Sequence, residues 1–258
     1  MSKTALITGS TSGIGAGIAE SFARQKYNII LNGFGNIADI EAQQKYLTDT
    51  YAIKTLYSAC DLSKADQIDE MIKTAKSTFG CIDVLVNNAG IQYTEKIEDF
   101  PPEKWDAIIA INLTSAFHTI RHTIPIMKEK GWGRIINIAS AHGLVASKNK
   151  SAYVASKHGI IGLTKVVALE TATVNITCNA ICPGWVDTPL MRKQVDDKAK
   201  TLGVSFDQAL LDMVSEKQPS QKCATPHDIG ELCVFLAREE AAQITGASYS
   251  IDGGWTTE

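Results

Sequence analysis

The sequence lacks the features of several protein classes. Its 258 residues contain no apolar run close to the roughly 20 residues that a membrane-spanning helix needs. Basic residues are not in excess, since 25 Lys and Arg stand against 28 Asp and Glu and leave a formal net charge of −3. No basic field is therefore available to hold nucleic acid. The first residues also show no signal-peptide pattern. We expect a cytoplasmic protein without nucleic acid or membrane partners.

Paired cysteines are also missing. The six cysteines are scattered, and none forms a Cys-x-x-Cys pair: Cys60, Cys81, Cys178, Cys182, Cys223 and Cys233. Such spacing suits neither a zinc site nor a dense disulfide scaffold. We therefore expect no bound metal and reduced thiols, as in a reducing compartment.

Short apolar segments alternate with segments of helical periodicity along the chain. The predicted strands cover 4–8, 28–31, 54–60, 84–86, 134–139, 177–181 and 248–251. The predicted helices between them include 16–26, 37–51, 65–79, 105–130 and 153–171. This alternation is typical of βαβ units, and nearly continuous apolar strands indicate a parallel sheet covered by helices on both faces. We expect one doubly wound, three-layer α/β/α domain over residues 1–258, with a polar helical flap at about 187–221.

Three glycines follow the first predicted strand, in the pattern Gly9-x-x-x-Gly13-x-Gly15. A turn from strand to helix directs free backbone N–H groups and the positive end of the helix dipole at a phosphate. A tight turn without a ligand would need the same glycines, but the βαβ context favours nucleotide binding. The spacing differs from the Gly-x-Gly-x-x-Gly of ordinary dinucleotide folds.

Tyr153 and Lys157 are four residues apart in a predicted helix, so their side chains share one face. A free tyrosine has a pKa of about 10, and a neighbouring ammonium lowers that pKa and makes the phenol a usable base. Ser140 directly follows a predicted strand and could bind the same substrate oxygen. It could equally cap a loop.

In this order, the motifs resemble the short-chain dehydrogenases/reductases, whose fold is a Rossmann-like doubly wound sheet. The resemblance rests on Thr8-Gly-Ser-Thr-Ser-Gly-Ile-Gly15, Asn87-Asn-Ala-Gly90, Asn112, Ser140, Tyr153-x-x-x-Lys157, Pro183-Gly184 and Asp252-Gly-Gly254, and it covers essentially the whole chain. It implies hydride transfer between a small alcohol or ketone and a nicotinamide cofactor, without a metal. It also implies a homotetramer.

The resemblance implies four catalytic residues. Tyr153 would be the general base or acid on the substrate oxygen, and Lys157 would lower its pKa and bind the nicotinamide ribose. Ser140 would orient the substrate oxygen, and Asn112 would hold a water in a proton relay. Besides Tyr153 and Lys157, the implied cofactor-binding residues are Gly9, Thr11, Gly13, Ile14, Gly15, Phe34, Asp61, Leu62, Asn88, Ala89, Gly90, Pro183, Gly184, Val186 and Thr188.

The second predicted strand ends without an acidic residue. An acid there would bind the ribose 2′-hydroxyl of NAD and repel the 2′-phosphate of NADP. The stretch reads Asn32-Gly-Phe-Gly35, and the first acid after it is Asp39. Neither 32–36 nor 10–12 contains an Arg or Lys to pair with a 2′-phosphate. We therefore expect NAD, with Phe34 beside the adenosine ribose.

Further segments resemble one branch of this family, the bacterial D-3-hydroxybutyrate dehydrogenases. They are Leu31-Asn-Gly-Phe-Gly35, Asn88-Ala-Gly-Ile-Gln92, 131–140, 142–145, 165–170, 178–185 and Asp252-Gly-Gly-Trp255. The implied reaction interconverts (R)-3-hydroxybutyrate and acetoacetate with NAD. Two alternatives remain: an enzyme for another substrate, such as a 3-oxoacyl thioester or a sugar alcohol, and a non-catalytic cofactor sensor. The intact Ser140, Tyr153 and Lys157 argue against a sensor.

A small hydroxy acid needs hydrogen-bond donors for its carboxylate. The candidate donors are Gln92, His142, Lys150 and Gln194. Lys150 adds a positive charge suited to a carboxylate, although it could be a solvated surface charge, and Gln194 could be an exposed helix residue. With Ser140 and Tyr153 at the hydroxyl, we expect Trp185 and Trp255 to cover the small apolar part of the substrate.

Two features fit this interpretation less well. Tyr93-Thr-Glu-Lys96 is more polar than the run expected after Gln92 in this branch, and Asp187 has no predicted role.

Overall fold

Seven parallel strands form the centre of the molecule, in the order β3-β2-β1-β4-β5-β6-β7, in a computed structural model that describes residues 2–257. The strands are β1 (Thr4–Ile7), β2 (Asn28–Asn32), β3 (Thr55–Ser58), β4 (Val84–Asn87), β5 (Gly133–Ile138), β6 (Ile176–Pro183) and β7 (Ser248–Ile251). The α-helices are α1 (Gly13–Arg24), α2 (Ile37–Tyr51), α3 (Ala65–Phe79), α4 (Pro102–Ile109), α5 (Ser115–Lys130), α6 (Ser151–Glu170), α7 (Pro189–Leu202), α8 (Phe206–Ser215) and α9 (Pro226–Leu236). The predicted three-layer α/β/α fold is confirmed.

Each face of the sheet has its own apolar core. Side chains alternate along a strand, so Ile7 packs with α1 and α9, whereas Leu6 packs with α3, α5 and α6. Both residues are fully buried, as are Val84 to Val86 in the next strand. This double coverage explains why the strands read as continuous apolar runs rather than alternating ones.

The strand order reverses at β1, which pairs with β2 on one side and β4 on the other. In open parallel sheets such a reversal opens a crevice at the carboxyl ends of the two strands. The turn after β1 and the loop after β4 meet there, because the Asn88 side-chain amide donates to the carbonyls of Thr8 (2.9 Å) and Gly9 (3.0 Å). A Cβ on Gly9 would lie 2.9 Å from the Ala89 Cα, and Gly9 has φ of +62°, so only glycine fits.

A buried polar chain connects the middle strands to the helices on one face. The Asn87 amide donates to Asn137 Oδ1 at 2.9 Å, and the Asn137 amide donates to Thr164 Oγ1 at 2.9 Å. Thr119 in α5 donates to Asn87 Oδ1 at 2.6 Å. These bonds fix α5 and α6 against β4 and β5, just below the loops that carry Ser140 and Asn88.

The helix predicted at 105–130 is interrupted. The structure has α4, then a π-helical turn at Ala110–Thr114, then α5. The break falls at this turn and not at Pro125, which lies inside α5.

Helix α9 was absent from the prediction. Its start carries a capping box between Thr225 and Asp228 with Pro226 in the first turn, and this signal is readable from sequence. The polar segment predicted as a flap contains α7 and α8, which share a small core of Met191, Val195, Ala199, Ala209 and Val214.

All six cysteines are free thiols. Within residues 2–257, no helix combines the length and apolar content that crossing a bilayer requires.

Replacing Asn137 tests the polar chain. Asn137→Ala leaves the buried Asn87 amide without its acceptor, so we expect the free energy of unfolding to fall by about 2–4 kcal/mol in urea titrations. Asn36→Ala is the control: this exposed side chain caps α2, and its loss costs about 1 kcal/mol. Equal destabilisation of the two variants would contradict a structural role for the buried hydrogen bonds of Asn137.

Candidate active site

A cavity of about 250 Å³ lies at the carboxyl ends of β4, β5 and β6. It brings together every residue predicted to bind substrate: Gln92, Ser140, His142, Lys150, Tyr153, Trp185, Gln194 and Trp255. Lys157 lines it too, and so do Leu190 and Met191 of α7, which the sequence analysis missed. These side chains come from distant parts of the chain, and only the parallel sheet places them side by side.

Ser140, Tyr153 and Lys157 form the floor of this cavity. Ser140 lies just after β5 and caps a short 3₁₀ segment at Ala141–Gly143, where its hydroxyl accepts the His142 backbone N–H at 3.1 Å. Tyr153 lies in the first turn of α6, with Lys157 one turn further on. The Lys157 ammonium lies 5.6 Å from the centre of the Tyr153 ring and donates to the Ile138 carbonyl at 2.8 Å.

Burial controls the ionisation of these two side chains. It raises the pKa of Tyr153, with a smaller opposing effect from the Ser140 side chain. It lowers the pKa of Lys157 to about 8. Burial disfavours the Tyr153 phenolate more than the Ser140 side chain favours it. The predicted lowering of this pKa by Lys157 stays a prediction.

Asn112 lies behind the cavity, buried in the π-helical turn. Its Oδ1 accepts the Ile91 backbone N–H at 2.8 Å, and its amide donates to the Ile91 carbonyl at 2.9 Å and to Ser156 Oγ at 3.2 Å. The side chain thus fixes the loop after β4. Its predicted role in holding a water stays a prediction.

Lys150 is a half-buried side chain on the cavity wall, not a solvated surface charge. It immediately precedes α6, and its ammonium lies 3.5 Å from the Gln92 side-chain oxygen. Burial lowers the pKa of Lys150. Gln194 in α7 is also half-buried and lines the cavity, so the alternative of an exposed helix residue is wrong.

His142 is buried between Tyr153 on the cavity floor and the ring of Trp255. Its Nε2 lies 2.8 Å from Ser147 Oγ. Burial, followed by the positive charge of Lys150, lowers the pKa of His142 to about 4. The imidazole is therefore neutral at pH 7, with one ring N–H to donate.

Two tryptophans form the apolar wall. The rings of Trp185 and Trp255 are stacked, with centroids 6.2 Å apart and planes inclined by 29°. Trp255 also contacts the His142 ring edge-on at 5.0 Å. The buried Gln218 side chain accepts the Trp185 backbone N–H and donates to the Lys222 carbonyl at 2.7 Å, which fixes the start of this wall.

A second cavity of about 400 Å³ adjoins the first at the crevice between β1 and β4. The predicted cofactor residues that line it are Gly9, Gly13, Ile14, Phe34, Leu62, Asn88, Ala89, Gly90 and Thr188. Pro183, Gly184 and Val186 line the first cavity, together with Tyr153 and Lys157. Ile14, Asn88, Gly90 and Thr188 line both, so the two spaces are continuous.

Three predicted cofactor residues line neither cavity. Thr11 donates to the Phe34 carbonyl at 2.9 Å and supports the loop after β2. Gly15 permits close packing, since a Cβ there would lie 2.2 Å from the Gly9 carbonyl oxygen. Asp61 accepts the Ser63 backbone N–H at 2.9 Å. Conversely, residues that were not predicted also line the second cavity: Ser12, Asn32, Gly33, Cys60, Ile91, Ile111, Pro189 and Leu190.

The start of α1 fits a phosphate group. Ser12 precedes the helix without a side-chain cap, so the first-turn N–H groups are not satisfied by a capping side chain. A Cβ on Gly13 would meet nothing nearer than the Thr188 methyl group at 3.7 Å. This concave, uncapped helix start suits the pyrophosphate of a dinucleotide.

An ion pair between Asp187 and Arg192 connects the loop after β6 to α7, the first helix of the segment above the cavity. Arg192 binds the Asp187 carboxylate through two hydrogen bonds of 2.6 and 2.7 Å. Thr188 caps α7 by accepting the Met191 backbone N–H at 3.2 Å. Asp187, which had no predicted role, thus ties the loop after β6 to α7.

The polar run after Gln92 also has a structural role at the cavity rim. Tyr93 packs edge-on against Phe100 at 5.7 Å. The Glu95 backbone N–H donates to the Asn149 carbonyl at 2.9 Å. This bond ties the Gln92 loop to the loop that carries Lys150.

Fold, site and sequence comparisons agree on the class of protein. A family model described as enoyl-(acyl carrier protein) reductase matches residues 9–256. The chain belongs to the short-chain dehydrogenase/reductase family of oxidoreductases.

Two similar relatives share its full length. The chain is 58% identical over 257 residues to the D-beta-hydroxybutyrate dehydrogenase of Cupriavidus necator, covering 99% of this chain and 98% of the relative. It is 53% identical over 258 residues to the enzyme of the same name from Rhizobium meliloti, covering 100% of both. The names of these two relatives differ from the description of the family model. The family model therefore assigns the family and not the substrate.

A solved structure shows the same fold. The L-sorbose reductase of Gluconobacter frateurii, complexed with NADPH and L-sorbose, superposes with a TM-score of 0.95 at 30% identity, covering 100% of this chain and 97% of that one. The fold class therefore holds across relatives with a different substrate.

The neutral His142 predicts a pH dependence of stability. An unfolded chain binds a proton at this histidine below about pH 6.5, whereas the folded protein does so only near pH 4. The contribution is present above about pH 6.5 and is lost as the pH falls towards 4. In urea titrations, we expect wild type to lose more stability than His142→Gln between about pH 7 and about pH 5. The exposed His227→Gln is the control, and identical pH dependence in wild type and His142→Gln would contradict a buried, neutral imidazole.

Proposed function

We propose that the protein is an NAD-dependent (R)-3-hydroxybutyrate dehydrogenase that interconverts (R)-3-hydroxybutyrate and acetoacetate. The observation that carries this proposal is one cavity in which Tyr153 and Ser140 lie beside a half-buried Lys150. A proton-transfer pair and a cationic group in the same small space suit a substrate that has a hydroxyl and a carboxylate a few ångströms apart. The two full-length relatives named as D-beta-hydroxybutyrate dehydrogenases support it.

In the oxidation direction, Tyr153 accepts the proton of the C3 hydroxyl while Ser140 holds that oxygen. The nicotinamide of bound NAD supplies the hydride acceptor. In the reverse direction Tyr153 returns its proton to the ketone oxygen of acetoacetate. Burial raises the pKa of Tyr153, so the protonated phenol needed for reduction predominates at neutral pH, and the phenolate that accepts a proton in the oxidation direction becomes more populated as the pH rises.

The carboxylate end of the substrate would lie against Lys150, with Gln92, His142 and Gln194 as further donors. A charged donor makes the strongest of these hydrogen bonds. The stacked Trp185 and Trp255 close the space beside His142. A cavity of about 250 Å³ with this wall suits a short acid.

The second cavity supports NAD over NADP. No Lys or Arg lines it within residues 2–257, so a 2′-phosphate would find no cationic partner there. Phe34 is exposed at its rim, where it can pack beside a ribose. The Asn32 side-chain amide donates to the carbonyls of Ser58 (3.1 Å) and Cys60 (3.0 Å), so it is not free to donate to a 2′-phosphate.

We further propose that α7 and α8 act as the flap and close over the bound substrate, which excludes water before hydride transfer. Leu190, Met191 and Gln194 of α7 already line the cavity.

The family resemblance supports a homotetramer. The six free thiols suit the reducing cytoplasm.

Enantiomers of the substrate test the function. With NAD, we expect the purified protein to form NADH from (R)-3-hydroxybutyrate and far less from the (S) form, because one hand alone places its hydroxyl at Tyr153 and its carboxylate at Lys150. Formation is followed by absorbance, and Tyr153→Phe should eliminate turnover while retaining NAD binding. Rapid turnover of a sugar alcohol, without turnover of (R)-3-hydroxybutyrate, would contradict the proposal.

Lys150 tests the carboxylate site. Lys150→Ala should raise KM for 3-hydroxybutyrate by about 10- to 100-fold with a smaller effect on kcat, because a charged hydrogen bond is lost in both ground and transition states. Lys148→Ala, an exposed lysine in the same loop, is the matched control and should match wild type. If the two variants have the same KM, Lys150 does not bind the carboxylate.

A further inference from the structure

Within residues 2–257, the His142 ring has a hydrogen-bond partner in Ser147. Its hydroxyl lies 2.8 Å from Nε2. The other ring nitrogen, Nδ1, makes no hydrogen bond with any residue among 2–257, although His142 is buried and lines the cavity. Nδ1 is therefore the nitrogen left for a ligand.

A neutral imidazole has one N–H, and the group at one nitrogen decides what the other can do. If Nε2 carried the proton, Nδ1 would present a lone pair to the cavity and repel a carboxylate oxygen. If Nδ1 carries it, His142 donates to that oxygen, but Nε2 then needs a donor because an unpaired buried acceptor is unfavourable. A backbone carbonyl beside Nε2 could not be that donor, whereas a hydroxyl can rotate to donate.

We propose that Ser147 is a positioning residue that donates its hydroxyl proton to His142 Nε2 and thereby presents Nδ1–H to the substrate carboxylate. This inference rests on the proposed function, since it assigns the ring proton by the charge of the substrate. Ser147 itself lies on the far side of the imidazole from the ligand and acts through the histidine alone.

The same loop also supplies Lys150, so the two halves of the carboxylate site have a common support. Ser147 and Lys150 lie three residues apart, between the 3₁₀ segment at Ala141–Gly143 and α6. Asn149 between them has φ of +65°, and its carbonyl accepts the Glu95 N–H at 2.9 Å. The anchored backbone holds the serine at the histidine and the lysine at the cavity wall.

Steady-state kinetics test the role of the hydroxyl. Ser147→Ala should raise KM for (R)-3-hydroxybutyrate about 5- to 10-fold, with kcat and the KM for NAD little changed, because one neutral hydrogen-bond arrangement is lost. Ser147→Thr keeps a hydroxyl and should restore the wild-type KM. Ser77→Ala, an exposed serine on α3, is the control for the substitution itself.

A double variant separates positioning from general structure. In a His142→Ala background, Ser147→Ala should change KM less than about twofold, since the serine then has no imidazole to orient. If Ser147→Ala weakens substrate binding equally with and without His142, or if Ser147→Thr fails to restore it in a folded protein, the proposal is overturned.

NMR of ¹⁵N-histidine-labelled protein gives a readout independent of turnover. The chain has five histidines, and the His142 signals are identified by their absence in His142→Ala. With NADH and (R)-3-hydroxybutyrate, a complex that cannot turn over, wild type should show a protonated Nδ1 and a bare Nε2, and Ser147→Ala should shift this balance. A protonated Nε2 in wild type, or unchanged spectra in Ser147→Ala, refutes the inference.

The two proposals fail in different ways. Should the enzyme not oxidise 3-hydroxybutyrate, the proposed function is wrong, whereas the spectra of the free wild type and Ser147→Ala still report whether the serine sets the ring proton. Should the enzyme be active but Ser147→Ala leave both KM and spectra unchanged, the function stands and the role of Ser147 is refuted.

Discussion

The side chain of Asn88 holds the two halves of the site together. Its amide donates to the carbonyls of Thr8 and Gly9 and so ties the loop after β4 to the turn after β1. One side of this junction is the uncapped start of α1, and the other leads through Gly90 and Ile91 to Gln92 at the substrate cavity. The relative position of the two cavities therefore depends on a side chain that lines both of them.

Low solvation gives the cavity its chemical character. Burial raises the pKa of Tyr153 and lowers those of His142, Lys150 and Lys157. Every one of these shifts favours the uncharged form of its group, which is the expected result when titratable side chains leave water without an anionic partner among them. In the proposed function the substrate carboxylate supplies such a partner, and its binding would favour the charged form of Lys150.

Sequence patterns predicted the parts that depend on local chemistry. The apolar strands predicted the sheet, and the motifs around Gly9, Ser140 and Tyr153 predicted the side chains that meet in the two cavities. What they could not predict depends on tertiary contact. Thr11 and Asp61 adjoin residues that line the second cavity, but their side chains bond to the Phe34 carbonyl and the Ser63 N–H. The burial that raises the pKa of Tyr153 is likewise not visible in residue spacing. The start of α9, in contrast, could have been predicted, because the capping box of Thr225 and Asp228 is visible in the sequence.

The π-helical turn at Ala110–Thr114 has a geometric consequence for everything that follows it. A π-turn amounts to one extra residue within a helix, and each residue of an α-helix advances by about 100° around the axis. With a regular turn in its place, the side chains of α5 would point about a quarter-turn away from their present neighbours. Thr119 would no longer face Asn87, and Asn112 would no longer reach Ile91. One irregular turn thus sets the rotational phase of a long helix, and with it the loop that borders the substrate.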